Sequence, residues 1–187
     1  YIIYHKGKRD EIKKNNFLLN LNPRNPISVY YIRKIIQDLS NKTAKNIIIH
    51  AHLTWPFFFT VLATWGIKNT KLFFTEHDTT NKRRAIPFFY IIDNLFYEYY
   101  ESIICISRGV YKNLEKWRKI KKKKNIKIIY NGSRLYNLAK RKKLKNRLPK
   151  LISIGRLIPK KNFSTTINVI SKIKNKIDSY IIIGEGF

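Results

Sequence analysis

Short apolar runs recur along this chain and alternate with stretches of helical periodicity. That alternation restricts the fold more than any single residue does. Ile47-Ile48-Ile49, Lys71-Leu72-Phe73-Phe74, Ile103 to Ile106, Ile126 to Tyr130, Leu151 to Ile154 and Tyr180 to Ile183 read as strands. Tyr1 to Tyr4 and Phe17 to Leu21 are two more, with the charged stretch Lys6 to Lys14 between them. Helical patterns fill the gaps. One runs from Pro26, with Val29, Ile32, Ile36 and Leu39 on one face and Asn25 as its cap, and another spans Pro56 to Trp65 and closes at Gly66. A third lies within Ile86 to Tyr100, and a fourth is capped by Ser107 with Val110, Leu114 and Trp117 inward, followed by the lysines Lys121 to Lys124 at its negative pole. The last places Phe163, Ile167, Ile170 and Ile173 inward.

Most of these strands are apolar without alternation, which predicts a parallel α/β sheet covered on both faces. The stretch from Ile47 to Trp65 is apolar enough for a membrane span, but His50, His52 and Pro56 inside it favour a strand followed by a helix. Between Ser133 and Pro149 the periodicity stops, and Lys140, Arg141, Lys142, Lys143, Lys145 and Arg147 mark an exposed linker. Two domains are therefore expected, 1–149 including that linker and 150–187.

The polar residues fall at consistent places. His50 and His52, Glu76-His77-Asp78, Ser107, Asn131-Gly132, Gly155-Arg156 and Gly184-Glu185-Gly186 each follow the carboxyl end of an expected strand. In open α/β sheets that edge is where ligands bind.

At Gly155 the missing side chain lets a ligand approach the backbone. Arg156 offers a planar fork matched to phosphate oxygens, and Lys161 adds a mobile point charge, so this loop reads as a diphosphate clamp. In the first half His77 is the strongest catalytic candidate, since it ends a strand between two carboxylates and precedes Thr79, Thr80, Asn81, Lys82, Arg83 and Arg84, a loop able to grip a charged substrate. An alternative assembles His50, His52, His77-Asp78 and Asp93 into a His/Asp metal site of the phosphohydrolase kind. No Lys-Ser or Lys-Thr phosphate-binding loop, no Gly-x-Ser-x-Gly elbow and no Asp-x-Asp pair occurs.

Composition adds a strong charge and a reducing setting. The 187 residues carry a formal net charge of +28 with 44% hydrophobic content, which predicts attraction to polyanions and a real core. Lysine is enriched together with isoleucine, asparagine and tyrosine, so coding bias accounts for part of the charge. Neither zinc-finger spacing nor an RNA-binding aromatic motif is present, and an anionic membrane surface is the preferred partner over nucleic acid. The one cysteine, Cys105, lies inside an apolar run and reads as packing. No methionine occurs and the chain opens at Tyr1, so a fragment is expected; no signal segment opens it.

Taken in order, His50-Ala51-His52-Leu53, Thr75-Glu76-His77, Ile104-Cys105-Ile106-Ser107, Ile129-Tyr130-Asn131-Gly132, Gly155-Arg156-Leu157 with Lys161-Asn162, and Ile183-Gly184-Glu185-Gly186 resemble the retaining glycosyltransferases of the GT-B fold, family four, also called group one. The resemblance runs from Ile47 to Phe187. It implies two Rossmann-like parallel-sheet domains, both incomplete here, with the active site in the cleft between them. It also implies that Arg156 and Lys161 hold the donor diphosphate and that His77 is the first domain's active-site histidine. Gly155, Gly184, Glu185, Gly186 and Asn131 would lie on the donor side, and His52, Thr79 and Arg83 on the acceptor side. The family's opening strand with its acceptor loop, and a later pair of glutamates, lie outside these residues, so the fragment is expected to be inactive alone.

The function expected is transfer of a sugar from a nucleoside-diphosphate donor to a glycan or lipid-linked acceptor, with retention and without a metal or other cofactor. It would take place on the cytoplasmic side, peripheral to the inner face of a membrane. The exposed aromatics expected around Tyr97, Tyr99 and Tyr100 suit such a surface. The competing readings are a non-catalytic basic module that binds nucleic acid or membrane by charge, and the metal phosphohydrolase.

Overall fold

A computed structural model describes residues 2–4, 16–43, 46–118, 125–133 and 148–186. The lysine run at 121–124 and most of the basic stretch after Ser133 lie outside them. The chain divides into two compact units, Tyr1–Ser133 and Arg134–Phe187.

In the first unit, β1 (Ile2–Tyr4) and β2 (Asn16–Leu18) form a short parallel pair. The four-stranded sheet is also parallel, in the order β3 (Ile47–His52), β4 (Thr70–Glu76), β5 (Ser102–Cys105) and β6 (Asn125–Ile128). Each strand pairs with its neighbour in sequence, so every connection crosses over through a helix: α2 (Thr54–Thr64), α3 (Phe88–Glu98) and α4 (Arg108–Arg118). The expected parallel α/β, Rossmann-like architecture is present.

Helix α1 (Ser28–Lys42) begins two residues later than Pro26, because the Asn25 side chain accepts from the Ile27 amide in a turn that precedes the helix. Its Ile32 and Ile36, four apart on one face, meet Phe59 and Ala63 of α2. The Arg33 guanidinium donates to the carbonyls of Ala63 and Trp65 at 3.1 and 2.7 Å, satisfying acceptors that the end of α2 would otherwise leave open. Gly66, at φ +76°, turns the chain out of that helix. Ser107 caps α4 as expected, its Oγ accepting from the Val110 amide at 3.2 Å.

The main core joins Phe57 and Val61 of α2, Leu72 and Phe74 of β4, Ile103 and Cys105 of β5, and Val110 and Leu114 of α4. Cys105 is fully buried, and burial pushes its thiol up to about 12, which fits packing rather than nucleophilic chemistry. Tyr97 and Tyr100 also belong to this core, contrary to the expectation that they are exposed. The Tyr100 hydroxyl donates to the Phe57 carbonyl at 2.7 Å, and its ring stacks on Phe57 at 5.3 Å, so the phenol is buried with its polar end satisfied. Only Tyr99 of the three reaches the surface.

Two ion pairs lie beneath the end of β4. Arg83 donates through Nε to both carboxylate oxygens of Asp93 at 3.0 and 2.9 Å, and Trp117 Nε1 donates to the same carboxylate at 3.0 Å. The Arg83 Nη1 reaches Thr54 Oγ1 at 3.0 Å, and its guanidinium lies over the Phe57 ring. Beside it, Arg84 Nη2 donates to Glu76 Oε2 at 2.6 Å, and the Tyr97 hydroxyl donates to the same oxygen at 2.8 Å. Burial first, and then the Glu76 charge, push the Tyr97 phenol well up, so it stays a donor.

The second unit is a parallel pair, β7 (Lys150–Ile154) and β8 (Ser179–Ile183), linked by α5 (Phe163–Lys172). Its inward face is Phe163, Thr166, Ile170 and Ile173, whereas Ile167 is half exposed: a three-residue step from Phe163 replaces the expected four. The sheets are not covered on both faces throughout. Central strands β4 and β5 are, but β3, β7 and β8 alternate, leaving Ile48, Ile152 and Ile154 open.

The buried pairs generate a stability prediction. Asp93→Asn leaves the Arg83 charge without its counterion and should cost about 3–5 kcal/mol, whereas the double variant Arg83→Met/Asp93→Leu should lose much less. Denaturant unfolding of the three proteins measures both.

Candidate functional site

Strands β3 and β4 run side by side, with His50 opposite Phe73 and His52 opposite Thr75, so their carboxyl ends carry three histidines together. His52 Nδ1 lies 3.0 Å from His77 Nε2, and His50 Nε2 lies 2.7 Å from Thr75 Oγ1. The His50 and His52 rings are 4.3 Å apart, and those of His52 and His77 are 5.3 Å apart. Alternation along β3 puts His50 and His52 on one face, and the parallel register brings His77 alongside. The contact with His52 engages Nε2 of His77.

This edge is also where the backbone is strained. Leu53, between the end of β3 and the start of α2, has φ +71° and ψ 168°, a region that side chains other than glycine rarely adopt. Strain of about 1–3 kcal/mol is held there, turning the chain from strand to helix within one residue of His52.

Thr79, expected on the acceptor side, lines an open cleft of about 380 Å³ with Thr80, Asn81, Arg84, Asn113 and Trp117 among its walls. Arg84 joins this wall from the buried network, with its Nε and Nη1 buried and unpartnered among the described residues. Arg83, also expected on the acceptor side, is placed elsewhere: its guanidinium is interior and committed to Asp93 and Thr54, so it holds the loop. Glu76 likewise serves Arg84 and Tyr97 instead of flanking His77 in solvent. By sequence Arg84 is named only with the rest of its substrate-gripping loop and Trp117 only as an inward helix residue; a basic pair on a loop and an inward tryptophan give no sign of which side chain will face a cleft.

The metal alternative needs Asp93 beside the histidines. That carboxylate is buried against Arg83 and Trp117, and among the described residues no group of three His, Cys, Asp or Glu has a metal-holding arrangement. Asn131 lies exposed after β6.

The second unit brings the remaining candidates together. The Gly155 amide donates to the Ile183 carbonyl at 2.9 Å, and the Leu157 amide to the Glu185 carbonyl at 2.8 Å, so the loops after β7 and β8 are laced side by side. A Cβ on Gly184 would collide with the Gly155 carbonyl, which is why only glycine fits there. The Lys161 stem passes 3.8 Å from the position of a Gly155 Cβ, on a 3₁₀ turn at Pro159–Lys161 that ends in left-handed Asn162. Arg156 and Lys161 are both exposed, and neither side chain has a hydrogen-bond or ion-pair partner among the described residues. Two unpaired cations beside two glycine backbones make a surface suited to a polyphosphate.

Residues 4–135 match the family described as Glycosyltransferase Family 4, a span that includes nearly the whole first unit. This chain belongs to that family, and its histidine cluster lies within the matched span. Among solved structures, a chain of the Glycosylation Associate Protein (Gap123) complex from Streptococcus agalactiae is similar with a TM-score of 0.46 and 16% identity, over 83% of this chain and 30% of that one. The chain thus spans under a third of that structure's length. No curated protein sequence matches it.

Burial lowers the affinity of His50 and His52 for protons, and the neighbouring histidine charges add to this. Protonation is therefore favoured in the unfolded chain over the folded one. Their contribution to stability is whole above the unfolded value near pH 6.5 and is lost as pH falls below it. Histidine ring resonances followed by NMR should show midpoints for His50 and His52 below those of the same residues in urea.

Proposed function

We propose that this chain is the donor- and acceptor-handling part of a glycosyltransferase that moves a sugar from a nucleoside-diphosphate donor to a glycan or lipid-linked acceptor with retained configuration. What carries the reading is the pair of unpaired cations, Arg156 and Lys161, beside the glycine backbones at 155 and 184. Breaking the glycosidic phosphate bond loads negative charge onto the departing diphosphate. Fixed donors aimed at that charge stabilise it more in the transition state than in the ground state, and a guanidinium with an ammonium supplies what a divalent cation supplies elsewhere.

In this reading Glu185 and Gly186 take the nucleotide side of the second unit, and Asn131 is a donor-side residue of the first. His77 orients the donor sugar, and His52 fixes which nitrogen His77 offers. Thr79 and the cleft it lines receive the acceptor. The acceptor is held at the cytoplasmic, anionic face of a membrane, which suits the +28 charge; no helix among the described residues is long and apolar enough to cross one. The reading names sugar donors and acceptors, not nucleic acid, as substrates.

Arg156→Ala in the full-length enzyme should lower turnover at least about a hundredfold, as loss of one oxyanion donor does, with activity indifferent to chelator. Steady-state transfer assays measure this. Unchanged turnover would remove the clamp, and binding that merely follows ionic strength, with no preference for a nucleoside diphosphate, would favour the charge-only module.

A further inference from the structure

Helix α3 keeps Asp93 and Tyr97 inside and turns a different stripe outward. Phe88, Ile91, Leu95 and Tyr99, spaced by three, four and four residues, are exposed at 66%, 60%, 60% and 52%. That spacing places them along one line of the helix surface and its C-terminal cap. Helix α2 extends the same face: Trp65 packs its ring 6.0 Å from Tyr99, and Leu62, one turn earlier, is also exposed. A large apolar side chain offers roughly 150–250 Å² when open, so six that are about half open present on the order of 600 Å². That reaches the top of the range found for the largest apolar patch on a monomer, about 300–600 Å².

We infer that this α2–α3 face is the surface by which the protein docks flat on an anionic lipid bilayer, with Phe88, Ile91 and Leu95 entering the acyl boundary and the Trp65–Tyr99 pair at headgroup level. Two observations select lipid over other occupants. The chain as a whole has 39 basic against 11 acidic residues, which attracts an anionic leaflet and makes a second copy of itself repel. Trp and Tyr at one end of an aliphatic stripe match the chemistry of the membrane–water interface, where each ring has an apolar body and a polar edge. The inference rests on the membrane part of the proposed function and adds the face that makes the contact; it does not depend on the diphosphate clamp.

Co-sedimentation of the chain with vesicles tests it. The wild type should partition onto phosphatidylglycerol/phosphatidylcholine vesicles at least about tenfold more than onto phosphatidylcholine alone. The double variant Ile91→Ser/Leu95→Ser, altered only at exposed positions and checked by circular dichroism, should lose at least about tenfold of that partition. Phe88→Ser should show the same direction. Equal partition of wild type and folded variants would overturn the docking face while leaving membrane attraction by charge intact. No partition onto either vesicle would remove both the face and the membrane, and transfer to a soluble acceptor would still judge the glycosyltransferase reading. Concentration-dependent dimers abolished by the double variant would instead assign the face to a second copy and overturn the lipid assignment.

Discussion

Two guanidiniums and two carboxylates are packed out of water beneath the strand end that carries His77. Arg83 with Asp93, and Arg84 with Glu76, link β4, the loop after it and α3, while Trp117 and Thr54 bring in α4 and α2. Placing four charges in a core is expensive unless each is paired and hydrogen-bonded. Here the arrangement leaves little freedom in the loop: a residue displaced from it strands a buried charge. The return is positional. Glu76 is adjacent to His77 in sequence, and with Glu76 pinned by Arg84 and Tyr97 the histidine meets His52 at a fixed distance.

The second unit reaches fixed geometry by a different route, with backbone in place of buried charge. Two glycine-bearing loops are hydrogen-bonded across the ends of β7 and β8, so that Gly155, Gly184 and the Lys161 stem share one surface. A side chain at 184 has nowhere to go. The cations are left in solvent, where pairing with a neighbour would weaken them as ligands for a phosphate, and the sparse acidic residues of this chain help keep them so. In the proposed reading, rigid backbone with unpaired charge is what electrostatic stabilisation of a leaving group calls for.

The alternation of apolar runs and helical stripes was enough to read the parallel α/β fold and the placing of histidines, glycines and cations at strand ends. Strand limits shifted by a residue or two, as with β5, and the Ser107 cap was legible from its type and position. What sequence could not show was how like charges on one loop divide. Arg83 and Arg84 look interchangeable with Arg156 in composition, yet Asp93 and Glu76, ten and eight residues away, draw them inside. The tyrosines near residue 100 present the same difficulty: a helical period decides that Tyr97 and Tyr100 face in and Tyr99 out, and the helix start that sets the phase is fixed by Pro87 and the network, not by local pattern. Ile167 is exposed for a similar reason, because left-handed Asn162 sets where α5 begins.

The central claim is that the Gly155–Lys161 loop captures a diphosphate specifically and not as one basic surface among many. NMR titration with a nucleoside diphosphate, against inorganic phosphate at two salt concentrations, tests it most directly. Specific capture predicts saturable shifts concentrated in the Gly155, Arg156, Lys161 and Gly184 amides, with the nucleotide outlasting the added salt. Weak, unsaturated shifts spread over the lysines and erased together by salt would contradict it.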